Sequence, residues 1–136
     1  MYEKALRYIL LHDRHVKASV GSRVFPIGEV PQGCQRPLIT YQGLGLAGDA
    51  RHQQGAGDLA ADDVSVVCWA DDYSEAHTLG DHVRQALSGR RGTFDGETLL
   101  GIFSSARRSD AEERADRSEH AIAAAEQIWT IWHRED

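Results

Sequence analysis

Apolar residues near the N-terminus recur at the spacing of an amphipathic helix. The pattern predicts a helix that ends near His12 and Asp13. Its apolar stripe consists of Tyr2, Ala5, Leu6, Ile9 and Leu10. A short helical turn is expected over residues 16–20, where Gly21 closes it.

A second helical pattern begins at Asp72. Asp72 and Glu75 form a capping-box pair, and Gly89 stands where a glycine commonly follows a helix. The apolar stripe of this helix is Ala76, Leu79, Val83 and Leu87. The chain therefore carries two principal helices, each with one apolar face to bury.

Short apolar runs with alternation or proline punctuation predict strands. They cover residues 23–26, 38–42, 63–70 and 98–107. In the second run, Ile39 and Tyr41 point to one side of the strand and Leu38 and Thr40 to the other. The Gly-Thr-Phe-Asp-Gly segment at 92–96 is interpreted as a turn before the last of these strands.

Two segments are predicted to be long flexible loops. Residues 43–62 hold five glycines among small and polar residues, and a loop of this length is often functional or mobile. The charged stretch 107–119 is interpreted as a long hairpin loop.

The C-terminal region supports two interpretations. Residues 111–126 are rich in Ala, Glu and Arg, so propensity predicts a helix to about Ala125 and a strand after it. In the strand, Trp129 and Ile131 share one side and Trp132 takes the other. One side is then covered either by the helices or by a neighbouring subunit, because interfaces favour Trp.

Composition fits one soluble domain. The 136 residues are 41% hydrophobic and 26% charged, with a net charge of −6. An acidic chain is a poor duplex-DNA binder, so we expect no sequence-specific nucleic-acid binding. We expect no membrane partner, since no signal peptide is visible and no apolar run reaches the ~18–20 residues of a membrane span.

Cys68 is predicted to be buried and Cys34 to lie in a loop.

The segment Gly43-Leu-Gly45-Leu-Ala-Gly48 matches the G-x-G-x-x-G pattern of dinucleotide sites. Such a site needs a helix that starts inside the motif, so that the phosphates meet its N-terminus. Here the continuation lacks an apolar stripe and contains two more glycines, Gly55 and Gly57. We therefore interpret residues 43–57 as a flexible loop, and we predict no cofactor site.

Clustered histidines and aspartates invite a metal or acid–base hypothesis. His77 and Asp81 share a predicted helix face, but two ligands do not complete a zinc site. The pairs at 62–63 and 71–72 flank one strand and are explained as turn and cap residues. We predict no metal site and no catalytic residue.

The sequence of residues 23–42 resembles that of the tail-completion proteins of long-tailed bacteriophages. The resemblance rests on Arg23-Val-Phe-Pro26, Pro31-Gln-Gly33 and Arg36-Pro-Leu-Ile-Thr-Tyr-Gln42, and later on Val66-Val-Cys-Trp-Ala70 and Tyr73-Ser-Glu-Ala76. It extends along nearly the whole chain. The Ala-rich segment 121–125 and the charged stretch 107–119 depart from the family pattern.

The resemblance implies an α+β single domain over residues 1–136, a mostly antiparallel sheet packed against two helices. It also implies a final strand that begins near His120. The implied protein is structural and not an enzyme, forms a ring, possibly a hexamer, caps the tail tube and joins it to the head connector. It would assemble in the bacterial cytoplasm and end in the virion tail. For a protein that assembles in this way, we expect the loops 43–62 and 107–119 to be mobile in the free subunit and to become ordered on assembly. The alternative is a small regulatory or ligand-binding cytoplasmic domain that uses residues 43–57.

Overall fold

The computed structural model describes residues 2–46, 59–105 and 122–134. Three helices and six strands follow one another within these ranges. In chain order they are α1 (Glu3–His12), α2 (Arg14–Val20), β1 (Val24–Pro26), β2 (Leu38–Leu46), β3 (Leu59–Ala70), α3 (Tyr73–Leu87), β4 (Gly92–Phe94), β5 (Glu97–Ser104) and β6 (Ala123–Arg134). The predicted α+β class is confirmed, with α2 as a third short helix.

The six strands form one sheet in the order β1-β2-β3-β6-β5-β4. Every pairing is antiparallel except that of β1 with β2. The central pair, β3 and β6, is in register over its whole length, from Leu59 opposite Arg134 to Ala70 opposite Ala123. The short strands β1 and β4 lie at the two edges, which limits the paired length exposed there.

The core lies between the three helices and one face of the sheet. α1 buries its predicted stripe, and Leu6 and Leu10 are fully covered. The sheet contributes alternate residues to the same core, such as Val64, Val66 and Cys68 on β3. Side chains alternate between the two faces of a strand and repeat every 3.6 residues around a helix, so the apolar residues of each element form one face. These apolar faces pack against one another in the core.

Helix boundaries follow the capping residues. The carboxylate of Asp72 accepts a hydrogen bond from the Glu75 N–H at 2.7 Å, which is the predicted N-cap of α3. Asp13 caps α2 by accepting from the N–H groups of His15 and Val16. Gly21 follows α2 with φ 60°, in the region that favours glycine.

The predicted loop 43–62 is shorter than expected, because both flanking strands extend into it. β2 continues through Leu46 and β3 begins at Leu59. At Gly43 the strand passes so close to α1 that an added Cβ would lie 2.8 Å from the Tyr2 hydroxyl oxygen. Gly45 has φ +89° beside a register shift in the ladder, as in a β-bulge. Residues 47–58 and the predicted loop 107–119 lie outside the described residues.

The predicted turn at 92–96 is wrong in its first part, since residues 92–94 form β4. The turn itself is confined to Asp95 and Gly96, which both have positive φ. This is the Asp-Gly arrangement of a two-residue hairpin. β5 then ends at Ser104, three residues before the predicted end of the strand.

The propensity-based helix over the C-terminal region is wrong at its end. Residues 123–125 are the first part of β6, opposite the end of β3. The strand implied by the resemblance is confirmed from Ala123 onward, while residues 106–121 lie outside the described part. At Gly80 of α3 an added Cβ would lie 3.3 Å from Gln127 Nε2 and 3.9 Å from the Cβ of Ala125, so α3 lies close to β6 here. Ala125 is buried at this contact.

We predict that Leu6→Ala destabilises the fold strongly. Leu6 is fully buried, so truncation leaves a cavity, and we expect a loss of about 2–5 kcal/mol in the free energy of unfolding. Urea denaturation followed by circular dichroism measures it. Lys4→Ala, an exposed position on the same helix, is the control. Equal small effects of both changes would contradict the proposed packing of α1.

The cap of α3 gives a second prediction, with a neighbouring residue as control. Asp72→Ala removes the acceptor of the Glu75 N–H and should cost about 1 kcal/mol of unfolding free energy. Asp71→Ala removes an exposed ion pair with Arg36, which is worth about 0–1 kcal/mol. Thermal melts of the two variants should rank Asp72→Ala as the less stable. The reverse order would contradict the assigned cap.

Candidate assembly surface

The sheet has a second face, on the side away from the helices. Its centre is polar and internally bonded. The Thr130 hydroxyl donates to Asp63 Oδ1 at 2.6 Å, and the Ser65 hydroxyl donates to the carboxylate of Glu126. Asp63 and Ser65 are buried. These cross-strand bonds satisfy polar groups that burial would otherwise penalise, so the centre of this face is a fixed platform.

The aspartates at 62–63 are strand residues, which corrects their interpretation as turn residues. Successive strand residues point to opposite faces. Asp62 accordingly reaches the helix side, where its Oδ2 lies 2.6 Å from Nε2 of the buried His133. Asp63 reaches the opposite face and Thr130. The two carboxylates therefore do not converge on one ion.

The aspartates at 71–72 have the structural roles that their position suggests. Asp71 accepts from Arg36 Nε at 2.7 Å, and Asp72 caps α3. Neither arrangement brings the two carboxylates together on a shared ligand. Their interpretation as turn and cap residues therefore agrees with the geometry.

The histidines considered as metal ligands have aromatic neighbours. The His77 ring lies over Tyr73 with centroids 4.0 Å apart, and His15 stacks on His82 at 5.1 Å. Among the described residues, no group of three or more His, Cys, Asp or Glu side chains is placed to hold a metal ion.

The G-x-G-x-x-G segment begins as a strand. Residues 43–46 are the end of β2, paired with β3, and no helix starts in this part of the motif. The two glycines in the strand have the packing and bulge roles described above. Backbone N–H groups that pair within a sheet are not available to cradle phosphates.

An apolar groove opens at the β1 side of the second face. We call it the β1-side groove, and its cavity has a volume of ≈ 380 Å³. The loop 27–37 forms one wall, and side chains of β2 and β3 form the other. Its lining includes Ile27, Val30, Cys34, Leu38, Trp69 and Ile122.

Two contacts shape the β1-side groove. The Trp69 indole N–H donates to the Thr40 hydroxyl at 3.0 Å, which holds the Trp69 side chain on this face. Arg36 of the loop binds Asp71, which directly follows β3. Ile27 and Val30 remain 48% and 37% exposed, so apolar surface is accessible at the groove.

Exposed apolar residues also lie toward the opposite edge of the sheet, on β5. Leu100 and Phe103 of β5, which we call the β5 knob, are 38% and 53% exposed. The Phe103 ring covers Gly101, where an added Cβ would lie 2.5 Å from the ring. β4 pairs with β5 as far as Leu99, and beyond it the Gly89 N–H donates to the Ile102 carbonyl at 2.8 Å. Arg90 and Arg91, which precede β4, are exposed, and the Arg90 guanidinium lies 5.5 Å from the centre of the Phe94 ring.

The tryptophan prediction is confirmed. Trp129 and Ile131 are buried in the core beneath the helices. Trp132 lies on the second face, half-buried against Ala61. The interpretation of Trp129 as a residue buried under the helices therefore holds.

Sequence reasoning missed the groove and the knob. Both depend on where the loop 27–37 and the end of β5 lie relative to the sheet, which periodicity does not report. Phe103, two residues after Gly101 in an alternating strand, was the available signal.

Comparison with known proteins decides the family. The family model described as tail completion protein gp17 matches residues 4–125. The chain belongs to the tail completion protein gp17 family. Its role is that of a structural protein of a phage-like tail. None of the described helices is long and apolar enough to cross a membrane.

A solved structure shares the fold. A chain from the structure titled "Virion of native gene transfer agent (GTA) particle" superposes with a TM-score of 0.65 at 17% identity. The match covers 98% of this chain and 99% of that chain. A comparison with curated proteins gives no match. The architecture described here is therefore one that a chain in a phage-like virion also adopts.

We predict that the two cysteines differ sharply in reactivity. Burial raises the pKa of Cys68 to about 12, so at pH 8 its thiolate is scarce and the sulfur is inaccessible. Cys34 lines the groove and is partly exposed. A colorimetric thiol reagent should label one thiol in the folded protein and both in denaturant. Loss of the folded-state signal in Cys34→Ser is the control, and rapid labelling of both thiols in the folded protein would contradict the assigned burial.

Proposed function

We propose that the protein is a tail-completion subunit that forms an oligomeric ring, possibly a hexamer, which caps the tail tube and joins it to the head. Family membership over residues 4–125 is the observation that carries this proposal. The protein acts through binding surfaces and not as an enzyme. Its partners are copies of itself, the tail tube and the head connector, and it assembles in the bacterial cytoplasm before it enters the virion tail.

The surface of the subunit supports a ring. A ring is built from a heterologous interface, in which one patch of each subunit binds a different patch of the next. The β1-side groove and the β5 knob are two different apolar patches that lie toward opposite edges of one sheet. A rigid sheet between them fixes the direction from one neighbour to the next.

The ligand-binding alternative has less support. It needs the segment 43–57 to form a phosphate-binding loop, and its first four residues are paired strand. The remaining residues of that segment lie outside the described part. The ordering on assembly that was predicted for the loops 43–62 and 107–119 stays a prediction of the tail proposal.

Deletion of the gene in a host that produces particles tests the proposed function. We expect lysates that contain filled heads separate from unjoined or overlong tails, because the tail end is neither capped nor attached. Electron microscopy of negatively stained lysates measures this, together with the titre of infectious or transfer-competent particles. Expression of the intact gene from a plasmid should restore joined particles. Normal joined particles in the deletion strain would overturn the proposal.

A further inference from the structure

We propose that His133 and Asp62 form a proton-dependent latch that holds the first turn of α1 on the sheet. The pair lies near the end of the central ladder, where β3 begins and β6 ends. It is on the helix side of the sheet, away from the groove and the knob. The latch is a property of the single subunit and does not depend on the proposed ring.

The contacts of the His133 ring are the first argument. Nε2 lies 2.6 Å from Asp62 Oδ2, and Nδ1 lies 3.3 Å from the carbonyl oxygen of Arg134. An ionised carboxylate and a carbonyl both only accept hydrogen bonds, whereas a neutral imidazole has one donor and one acceptor. The imidazolium alone donates to both oxygens, and the short distance to Asp62 is characteristic of a charge-assisted hydrogen bond.

The surroundings of the ring are the second argument. The side chain of His133 is 4% exposed, so a charge there requires a partner, and Asp62 supplies one. The titratable and charged groups on the elements around the ring are Tyr2 and Glu3 at the start of α1, Asp62 and Asp63 on β3, Glu97 on β5 and Arg134 on β6. Most of them are carboxylates, and Arg134 is exposed, so the local field favours a cation at His133.

The third argument is that the pair supports the start of α1. The Tyr2 ring packs on the His133 ring, with centroids 5.2 Å apart. The Tyr2 carbonyl accepts from the Leu6 N–H at 2.9 Å, which is the first hydrogen bond of the helix. Tyr2 itself is 8% exposed. The orientation of His133, which Asp62 fixes, therefore determines the surface on which the first turn of α1 rests.

Deprotonation of His133 weakens the latch. A neutral ring leaves one nitrogen lone pair facing an oxygen, so the folded contacts favour the protonated ring. By linkage, the stabilisation is present below neutral pH and declines as the pH rises. Burial raises the pKa of Tyr2, and Glu3, Asp62 and Asp63 add to the rise. The Tyr2 phenol therefore stays protonated between about pH 6 and pH 9 and does not contribute to this change.

Nitrogen-15 NMR of the histidine rings tests the charge state in the intact, unmodified protein. At about pH 7.5 an ordinary exposed imidazole is mostly neutral. We expect the His133 ring, assigned through its correlations to the β6 backbone, to carry a proton on both nitrogens. A His133 ring with one unprotonated nitrogen at this pH would overturn the latch.

Amide hydrogen exchange tests the link to α1. Asp62→Asn removes the negative charge, and we expect exchange in the first turn of α1 to become roughly tenfold faster or more, relative to the amides of α3. In the unmodified protein, the same relative change should develop as the pH is raised from about 6 to 9, after correction for the intrinsic exchange rate.

Asp63→Asn is the matched control, because Asp63 is the neighbouring carboxylate and faces the other side of the sheet. The asparagine still accepts from Thr130, so the relative exchange of α1 should not change. Equal protection of α1 in Asp62→Asn and in the unmodified protein would overturn the latch. Should Asp62→Asn fail to fold, the NMR result on the unmodified protein decides. Neither measurement requires particles, so a failure of the ring proposal is seen separately.

Discussion

The pairing of β3 with β6 is the constraint on which the rest of the structure depends. The two strands come from distant parts of the chain and pair from Leu59 opposite Arg134 to Ala70 opposite Ala123. Closing such a long connection costs conformational entropy, which is recovered only when the whole ladder and its two faces are in place. Their register also decides which side chains meet the helices and which form the second face.

Small residues make that central pair accessible to the helices. Gly80 leaves room for the Gln127 side chain, whose amide donates to the Gly80 carbonyl at 2.7 Å. Gly43 similarly leaves room for the Tyr2 hydroxyl. Burial raises the pKa of Tyr2, with Glu3 adding to the same effect, so this phenol stays protonated. The absence of a side chain at Gly43 and Gly80 therefore helps to position the helices, together with the packing of apolar side chains.

The same residues explain how far the sequence predicted the fold. The stripes of α1 and α3 and the Asp72 cap were readable because they are local patterns. Gly43 was predicted to lie in a loop, and propensity alone indicated a helix at Ala125, where the resemblance implied the strand that is found. Each lies beside a residue that is distant in sequence, Gly43 beside the Tyr2 hydroxyl and Ala125 opposite Cys68. Propensity describes an isolated segment, whereas packing against α1 and α3 decided these positions.

The candidate surface was harder to predict than the fold, for a related reason. The groove arises only when the loop 27–37 folds beside Trp69, and the knob depends on the position of Phe103 in β5, opposite Thr130. Histidines and paired aspartates drew attention because of their chemistry, yet their partners are structural, as in the Asp62–His133 pair. The function of a protein that acts by assembly depends on where its apolar side chains are exposed.

Cryo-electron microscopy of the head-proximal end of the tail would test the central claim most directly. We predict a closed ring of this chain between tail tube and head connector. A tail end without this chain would contradict the proposed function.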